Sequence, residues 1–236
     1  MTEGPISTWR EVRDGVRDVA PAMIAAIPIG LLFGALAAAK GMSVLEVALM
    51  SGLVFAGGAQ FAALEVWATP APIAALAFST LLINARHVLM GASLGPKLCM
   101  TRRRKFLALY VLTDESWALA ERRAIDGPVT GAYWFAMAAV LPAAWIGSSA
   151  LGAVLGSFLG DPARLGADFA FTALFIGLIA GFGSARVTLI TIAVSALVAA
   201  LVHRTIGAPW HVASGALAGI AAAYVAAGSS ASEVRP

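Results

Sequence analysis

The chain alternates long apolar runs with short polar connections, and eight such runs can be read along it. Thr2 to Ala20 mixes acids and bases (Glu3, Arg10, Glu11, Arg13, Asp14, Arg17, Asp18), so residues 1–20 are expected to form a helix on the cytoplasmic membrane surface. Pro21 suits the first turn of a spanning helix that runs to about Ala39 and is closed by Lys40-Gly41. Gly30 and Gly34 within it would let another helix approach closely. Val44 to Trp67 is apolar but interrupted by Phe55-Ala-Gly57-Gly58-Ala-Gln60-Phe61. Each glycine costs a helix about 1 kcal/mol relative to alanine, so a discontinuous or re-entrant segment is predicted there. Pro70 to Gly95 follows, then a short Phe106 to Ala120 with Thr113-Asp114-Glu115-Ser116 at its centre. Gly131 to Leu159 is long and carries the small-residue ladder Gly152, Gly156, Gly160. Asp168 to Gly183 is short and again glycine-interrupted, Val187 to His203 and Pro209 to Ala227 complete the set, and residues 228–236 read as a disordered tail.

This pattern predicts an all-α polytopic membrane protein with about seven or eight membrane segments, two of them glycine-broken or re-entrant. The order spanning, broken, spanning recurs after residue 131, which predicts two inverted repeats with a binding site at the broken segments. Repeat one is expected over 21–95, a linker with a basic loop and the Asp114 segment over 96–130, and repeat two over 131–227. Together 21–227 form a single transmembrane bundle. Lys and Arg favour the cytoplasmic side, and if both broken segments return to the side they entered and Phe106 to Ala120 crosses, Arg10, Arg13, Arg17, the basic loop (Lys97, Arg102, Arg103, Arg104, Lys105), Arg164, Arg186 and Arg235 share the cytoplasmic side, with an Asp114 segment that does not cross serving the rule equally well. Both termini are then cytoplasmic. If every run crosses, the charges divide almost evenly and give no orientation.

Composition agrees with this class: 60% of residues are hydrophobic, 12% are charged and the mean hydropathy is +0.85. The formal charge of +3 does not point to nucleic acid, because the basic residues gather in one loop without interleaved stacking aromatics. The single cysteine, Cys99, gives neither a disulfide framework nor metal-ligand spacing. No metal or cofactor is expected. Residues 1–20 lack the apolar core of a removable signal peptide, so the first apolar run is expected to stay in the mature chain.

Against that apolar background the polar residues carry the information. An Arg at the centre of a spanning helix costs about 2.5–3.5 kcal/mol on insertion scales, yet Asn84-Ala-Arg86-His87 lies inside an apolar run. Helical spacing puts Asn84, His87 and Gly91 on one stripe and Ser79, Arg86 and Ser93 on a neighbouring one. They line a polar wall, or else Arg86 and His87 snorkel from an end of the bundle. Asp114 and Glu115 require a cation or a proton at depth, and Arg86 is the counter-charge at hand. The alternative is an interfacial helix whose acids face water. Gln60 is either part of a backbone-lined site or a helix-packing hydrogen bond, and Asp168 is a helix cap or part of the second broken segment with Phe171, Phe175 and Gly177. Gly91-Ala-Ser93-Leu-Gly95 fits a hydrolase nucleophile pattern, which has meaning only on a strand-to-helix elbow. Here it ends an apolar helix, and no enzyme is expected.

At these residues the chain resembles the AzlC family, the larger component of bacterial branched-chain amino acid exporters. The likeness runs through Phe55-Ala-Gly-Gly-Ala-Gln60-Phe61, Asn84-Ala-Arg86-His87 leading to Gly91-Ala-Ser-Leu-Gly-Pro96, Thr113-Asp114-Glu115-Ser116 and Asp168-Phe-Ala-Phe-Thr-Ala-Leu-Phe175. The resemblance implies export of valine, leucine, isoleucine or similar hydrophobic amino acids across the inner membrane, with a small AzlD-like membrane partner. No loop resembles an ATPase-docking segment. A zwitterionic substrate with an apolar side chain needs a cation or helix N-terminus, acceptors for its ammonium and an apolar pocket. Arg86 or the amides at Gly57-Gly58 supply the first, Gln60, Asn84 and Asp114 the second, and Phe55 and Phe61 the third. His87, or Asp114 with Glu115, is the expected carrier of a coupling proton. A channel for a small solute, or a structural subunit of a larger transport complex, is the alternative reading.

Overall fold

The computed structural model describes residues 7–54, 56–68, 70–159, 176, 185–207 and 210–232. The protein is a predominantly helical membrane protein. Among the described residues five helices are long and apolar enough to cross a bilayer: Thr8–Ala39, Ile73–Leu94, Gly131–Gly156, Arg186–Thr205 and Trp210–Ala227, with Val44–Leu53 as a shorter apolar helix. The chain divides into two compact units, residues 1–64 with 84–165 and residues 65–83 with 166–236.

The first unit is built on α1 (Thr8–Ala39) and α8 (Gly131–Leu159). Their small residues lie face to face. A Cβ on Gly34 would come within 1.9 Å of the Ser149 carbonyl oxygen, and one on Gly152 within 2.1 Å of the Leu31 carbonyl oxygen. These are backbone atoms, so no rotamer change could relieve a larger side chain. The glycines read from the sequence as packing sites are what lets the two backbones touch.

The amino-terminal charged stretch does not form a separate surface helix opened at Pro21. It is continuous with the first span, and Pro21 and Pro28 both lie inside α1. A proline inside a helix costs about 3 kcal/mol, and tertiary contacts offset it. Gly15 packs on the Tyr133 backbone, where a Cβ would meet the carbonyl oxygen at 2.5 Å, and Val19 is fully buried. Glu11, buried as well, accepts hydrogen bonds from Arg123 Nη2 and Thr130 Oγ1, each at 2.6 Å.

The predicted interruption is present. α2 (Val44–Leu53) ends at an extended Val54 and α3 (Gly57–Glu65) opens on the glycine pair, so the interruption falls before Gly57-Gly58 and not across the run to Phe61. A Ser43–Glu46 capping box starts α2. Further on, α4 (Ile73–Asn84) and α5 (Arg86–Leu94) are separated by Ala85 alone, whose φ and ψ are themselves helical. The stretch expected as one run over 106–120 is instead two helices, α6 (Arg102–Tyr110) and α7 (Asp114–Asp126). A two-residue parallel pairing of β1 (Leu98–Cys99) with β2 (Val129–Thr130) ties the loops flanking them. The core of this unit gathers Leu94, Leu98, Leu112, Val129, Trp134 and Met137 around that pairing.

In the second unit α9 (Arg186–Thr205) and α10 (Trp210–Ser232) run antiparallel. Gly215 meets Ala199, Gly219 meets Thr191, and Ser195 Oγ donates to the Gly215 carbonyl at 2.8 Å.

Candidate functional site

The site is assembled from the α2–α3 break, the start of α5 and the start of α7, all in the first unit. At the break Gln60 is fully buried and both ends of its amide are used. Its Nε2 donates to Ser51 Oγ at 3.1 Å, and its Oε1 accepts from Trp145 Nε1 at 2.8 Å. Ser51 sits on α2 and Trp145 on α8, so one side chain bridges the two pieces of the broken helix and ties them to the long span. A Cβ on Gly57 would lie 3.2 Å from the Trp145 ring, and the glycine therefore lets the indole rest against the backbone. Phe33 stacks on Trp145 with centroids 6.1 Å apart and meets Phe61 edge-on at 5.5 Å. Tyr110, the last residue of α6, donates its hydroxyl to the Leu53 carbonyl at 3.4 Å, where α2 stops.

The charged half lies on α5 and α7. Arg86 Nη2 and Asp114 Oδ2 are 2.8 Å apart, with 45% and 47% of the two side chains exposed. Thr113 caps α7: it accepts from the Ser116 amide through Oγ1 at 3.2 Å, while its own amide donates to Ser116 Oγ at 2.9 Å. Thr113-Asp114-Glu115-Ser116 is thus a helix start and not the middle of a run. The first-turn acids Asp114 and Glu115 stand where the helix dipole favours negative charge. Asp114 is turned to Arg86, and Glu115 is exposed.

One turn earlier, Asn84 Oδ1 is buried and has no hydrogen-bond donor among the described residues. His87 Nδ1 lies 3.2 Å from the Asn84 backbone carbonyl. A carbonyl only accepts, so Nδ1 is the donor in this contact. Ser93, one turn before the basic loop, accepts from Trp117 Nε1 at 3.0 Å and donates to Glu121 Oε1 at 2.9 Å. Lys97 pairs with the same carboxylate. Its hydrogen bond holds Glu121 below the ordinary 4.5, against the opposing effect of partial burial.

The two halves are close in sequence. Tyr110 and Asp114 are four residues apart, which limits their Cα atoms to about 14 Å at full extension. Of the residues expected at the site, Gly57, Gly58, Gln60 and Phe61 lie at the break, and Asn84, Arg86, His87, Asp114 and Glu115 lie on or beside the charged half. Phe55, Asp168, Phe171, Phe175 and Gly177 fall outside the described residues. Ser51, Phe33, Tyr110 and Trp145 were not anticipated. A signal for Trp145 exists in the sequence, since an indole N–H in the middle of an apolar helix needs an acceptor.

A helix break closed by aromatic side chains and a half-exposed ion pair, in a chain with five helices among the described residues long and apolar enough to cross a bilayer, mark a helical membrane protein. The AzlC protein family model matches residues 21–159, and the chain belongs to that family. It is 28% identical over 170 residues to the branched-chain amino acid transport protein AzlC of Bacillus subtilis, covering 71% of this chain and 66% of that one. It is 30% identical over 201 residues to the inner membrane protein YgaZ of Escherichia coli, covering 82% and 81%. An uncharacterized membrane protein of Archaeoglobus fulgidus is 31% identical over 144 residues, 59% of this chain and 60% of its own. The chain thus spans somewhat under two thirds of the first and last of these relatives. No solved structure matches it.

Proposed function

We propose that the protein is a secondary transporter subunit that exports branched-chain or other hydrophobic amino acids across a bacterial inner membrane, coupled to protons and working with a small AzlD-like membrane partner. Seven or eight membrane segments in two inverted repeats, with a cytoplasmic amino terminus, belong to the same proposal. The observation that carries it is the Arg86–Asp114 pair. A pair this open is worth roughly 0–1 kcal/mol in water, too little to explain it as a stabilising element. Its free edges offer both signs of charge to one ligand. A substrate carboxylate takes the guanidinium, while its ammonium is accepted by the Asp114 carboxylate and by the unpartnered Asn84 Oδ1. The apolar side chain goes toward the break, where Phe61 and Trp145 stand beside the Gly57-Gly58 backbone.

His87 is the proton carrier in this reading, an imidazole one residue from Arg86 with its Nδ1 held 3.2 Å from the Asn84 backbone carbonyl. The family membership and the Bacillus relative, a branched-chain amino acid transport protein by name, support the substrate class. Proteoliposomes containing the chain and its partner should release valine under a pH gradient and exchange labelled valine in counterflow. Equal flux without a gradient would remove the coupling, and flux without counterflow would make the protein a channel.

A further inference from the structure

The short helix α6 has an amphipathic character directed along its axis. Its first turn is Arg102, Arg103, Arg104 and Lys105, and its remainder is Phe106-Leu-Ala-Leu-Tyr110. Successive residues are turned by about 100° around a helix, so the three arginines fan over more than half of its circumference. Charge is separated from apolar surface between the two ends and not between two faces. A helix lying flat on a membrane carries its charges along one side. One charged at a single end suits a steep entry, with the charged turn among lipid headgroups and the rest below them.

The cations of this region are not equivalent. Lys97 is taken up by Glu121, and Lys105 Nζ donates to the Gly95 carbonyl at 2.7 Å, closing the end of α5. Arg102, Arg103 and Arg104 are exposed and have no acidic partner among the described residues. They also stand at the positive end of the helix dipole, an unfavourable place for cations unless anions are present. At the other end Phe106 is 76% exposed and Leu107 58%, while Ala108 is buried and anchors the helix to its unit. The helix rises about 12 Å from Arg102 to Tyr110. The headgroup layer on one side of a bilayer is about 5–8 Å thick, so the basic turn fits within it and Phe106 and Leu107 reach the hydrocarbon.

We propose that α6 is a docking surface for anionic phospholipid, in which Arg102, Arg103 and Arg104 bind the phosphodiester headgroups while Phe106 and Leu107 lie against the acyl chains. Guanidinium groups suit this partner because they bind phosphate oxygens in pairs and are held less strongly by water than an ammonium is. The surface is independent of the transport reading. It commits to a lipid over a free anion because the exposed apolar end adjoins the charged one.

Native mass spectrometry of the detergent-purified full chain, offered phosphatidylglycerol and phosphatidylcholine in equal amounts, tests this. Each arginine near an anionic surface contributes about fivefold to binding, so three contribute on the order of a hundredfold at low salt. The wild type should retain phosphatidylglycerol at least about tenfold over phosphatidylcholine, allowing for screening in the spray buffer. The triple variant Arg102→Gln, Arg103→Gln, Arg104→Gln should retain the two lipids about equally, while the corresponding triple change to Lys should keep the preference. Millimolar inorganic phosphate should not displace the lipid. A preference that survives in the Gln variant, or one that phosphate abolishes, would overturn the proposal, and circular dichroism and a single elution peak establish that each variant is folded.

Discussion

Two ion pairs in the first unit show what an apolar protein does with charge. Glu11–Arg123 is sealed, with 4% and 28% of the side chains exposed, and Thr130 Oγ1 completes the coordination of the carboxylate. The Arg123 guanidinium also lies over the Tyr133 ring, 5.1 Å from its centroid. Arg86–Asp114 is open, at 45% and 47%. The sealed pair spends both carboxylate oxygens inside the chain, on Arg123 of α7 and Thr130 of β2, and leaves the Arg123 Nε buried without an acceptor among the described residues. The open pair joins only α5 and α7 and keeps free edges on both ions. The first arrangement holds a fold together, and the second is available to a ligand.

The comparison breaks if the sealed pair proves dispensable, and this carries the largest expected effect. Removing one partner of a buried pair strands the other charge and costs about 3–5 kcal/mol. Arg123→Ala should therefore lower the thermal midpoint sharply and reduce the yield of monodisperse protein. The double variant Glu11→Leu with Arg123→Met should recover most of the loss, since the stranded carboxylate is gone. A single Arg123→Ala chain as stable as the wild type would mean that the pair is solvated after all.

The open pair should show the reverse. Arg86→Ala should change stability by no more than about 1 kcal/mol while lowering valine efflux at least about tenfold, the loss expected when a charge-assisted contact to a substrate is removed. Exchanging the charges, Arg86→Asp with Asp114→Arg, keeps an ion pair but reverses its polarity relative to Asn84 Oδ1. Efflux should stay low in that double variant. Recovery would assign the pair to architecture and not to substrate.

How much of this contrast the sequence carried depends on the range of the interaction. The α2–α3 break was legible only approximately, since Gly57-Gly58 marked the neighbourhood but begin α3 themselves, and Arg86 with Asp114 stood out because ionised groups in an apolar run demand each other. The Gly30/Gly34 and Gly152/Gly156 spacings were legible as close-packing faces for the same local reason. The burial of Glu11 was not. Seven charges crowd residues 1–20, and nothing local distinguishes the one whose partner lies 112 positions away. The start of α7 was missed because Ser116, and not the more usual Glu or Gln, occupies the third position of its capping box. The apolar residues on both sides then read as one run. Gln60 and Trp145 each carry a polar group into an apolar stretch, and only a three-dimensional contact shows that the indole N–H satisfies the amide oxygen.

Glu121–Lys97 lies between the two extremes and gives the smallest expected effect, in the most graded form. The lysine hydrogen bond lowers the Glu121 pKa below the ordinary 4.5, assisted by Ser93 and Trp117 and opposed by partial burial. A carboxylate depressed in the folded state binds its proton more weakly there than in the unfolded chain. Its contribution to stability is complete above the unfolded value of about 4.5 and is lost as the pH falls through the lower folded value. Thermal midpoints of wild type and Glu121→Gln should therefore differ by a small constant amount from neutral pH down to the unfolded pKa and converge below it. The lysine of the pair is 43% exposed and the carboxylate 21%, so added salt should shrink the difference, whereas the penalty of Arg123→Ala should persist in salt because Glu11 is shielded from it. A Glu121 contribution indifferent to salt would place this pair with the sealed one, and would mean that the carboxylate shared by Ser93, Trp117 and Lys97 belongs to the packing of α5 on α7 and not to its wet margin.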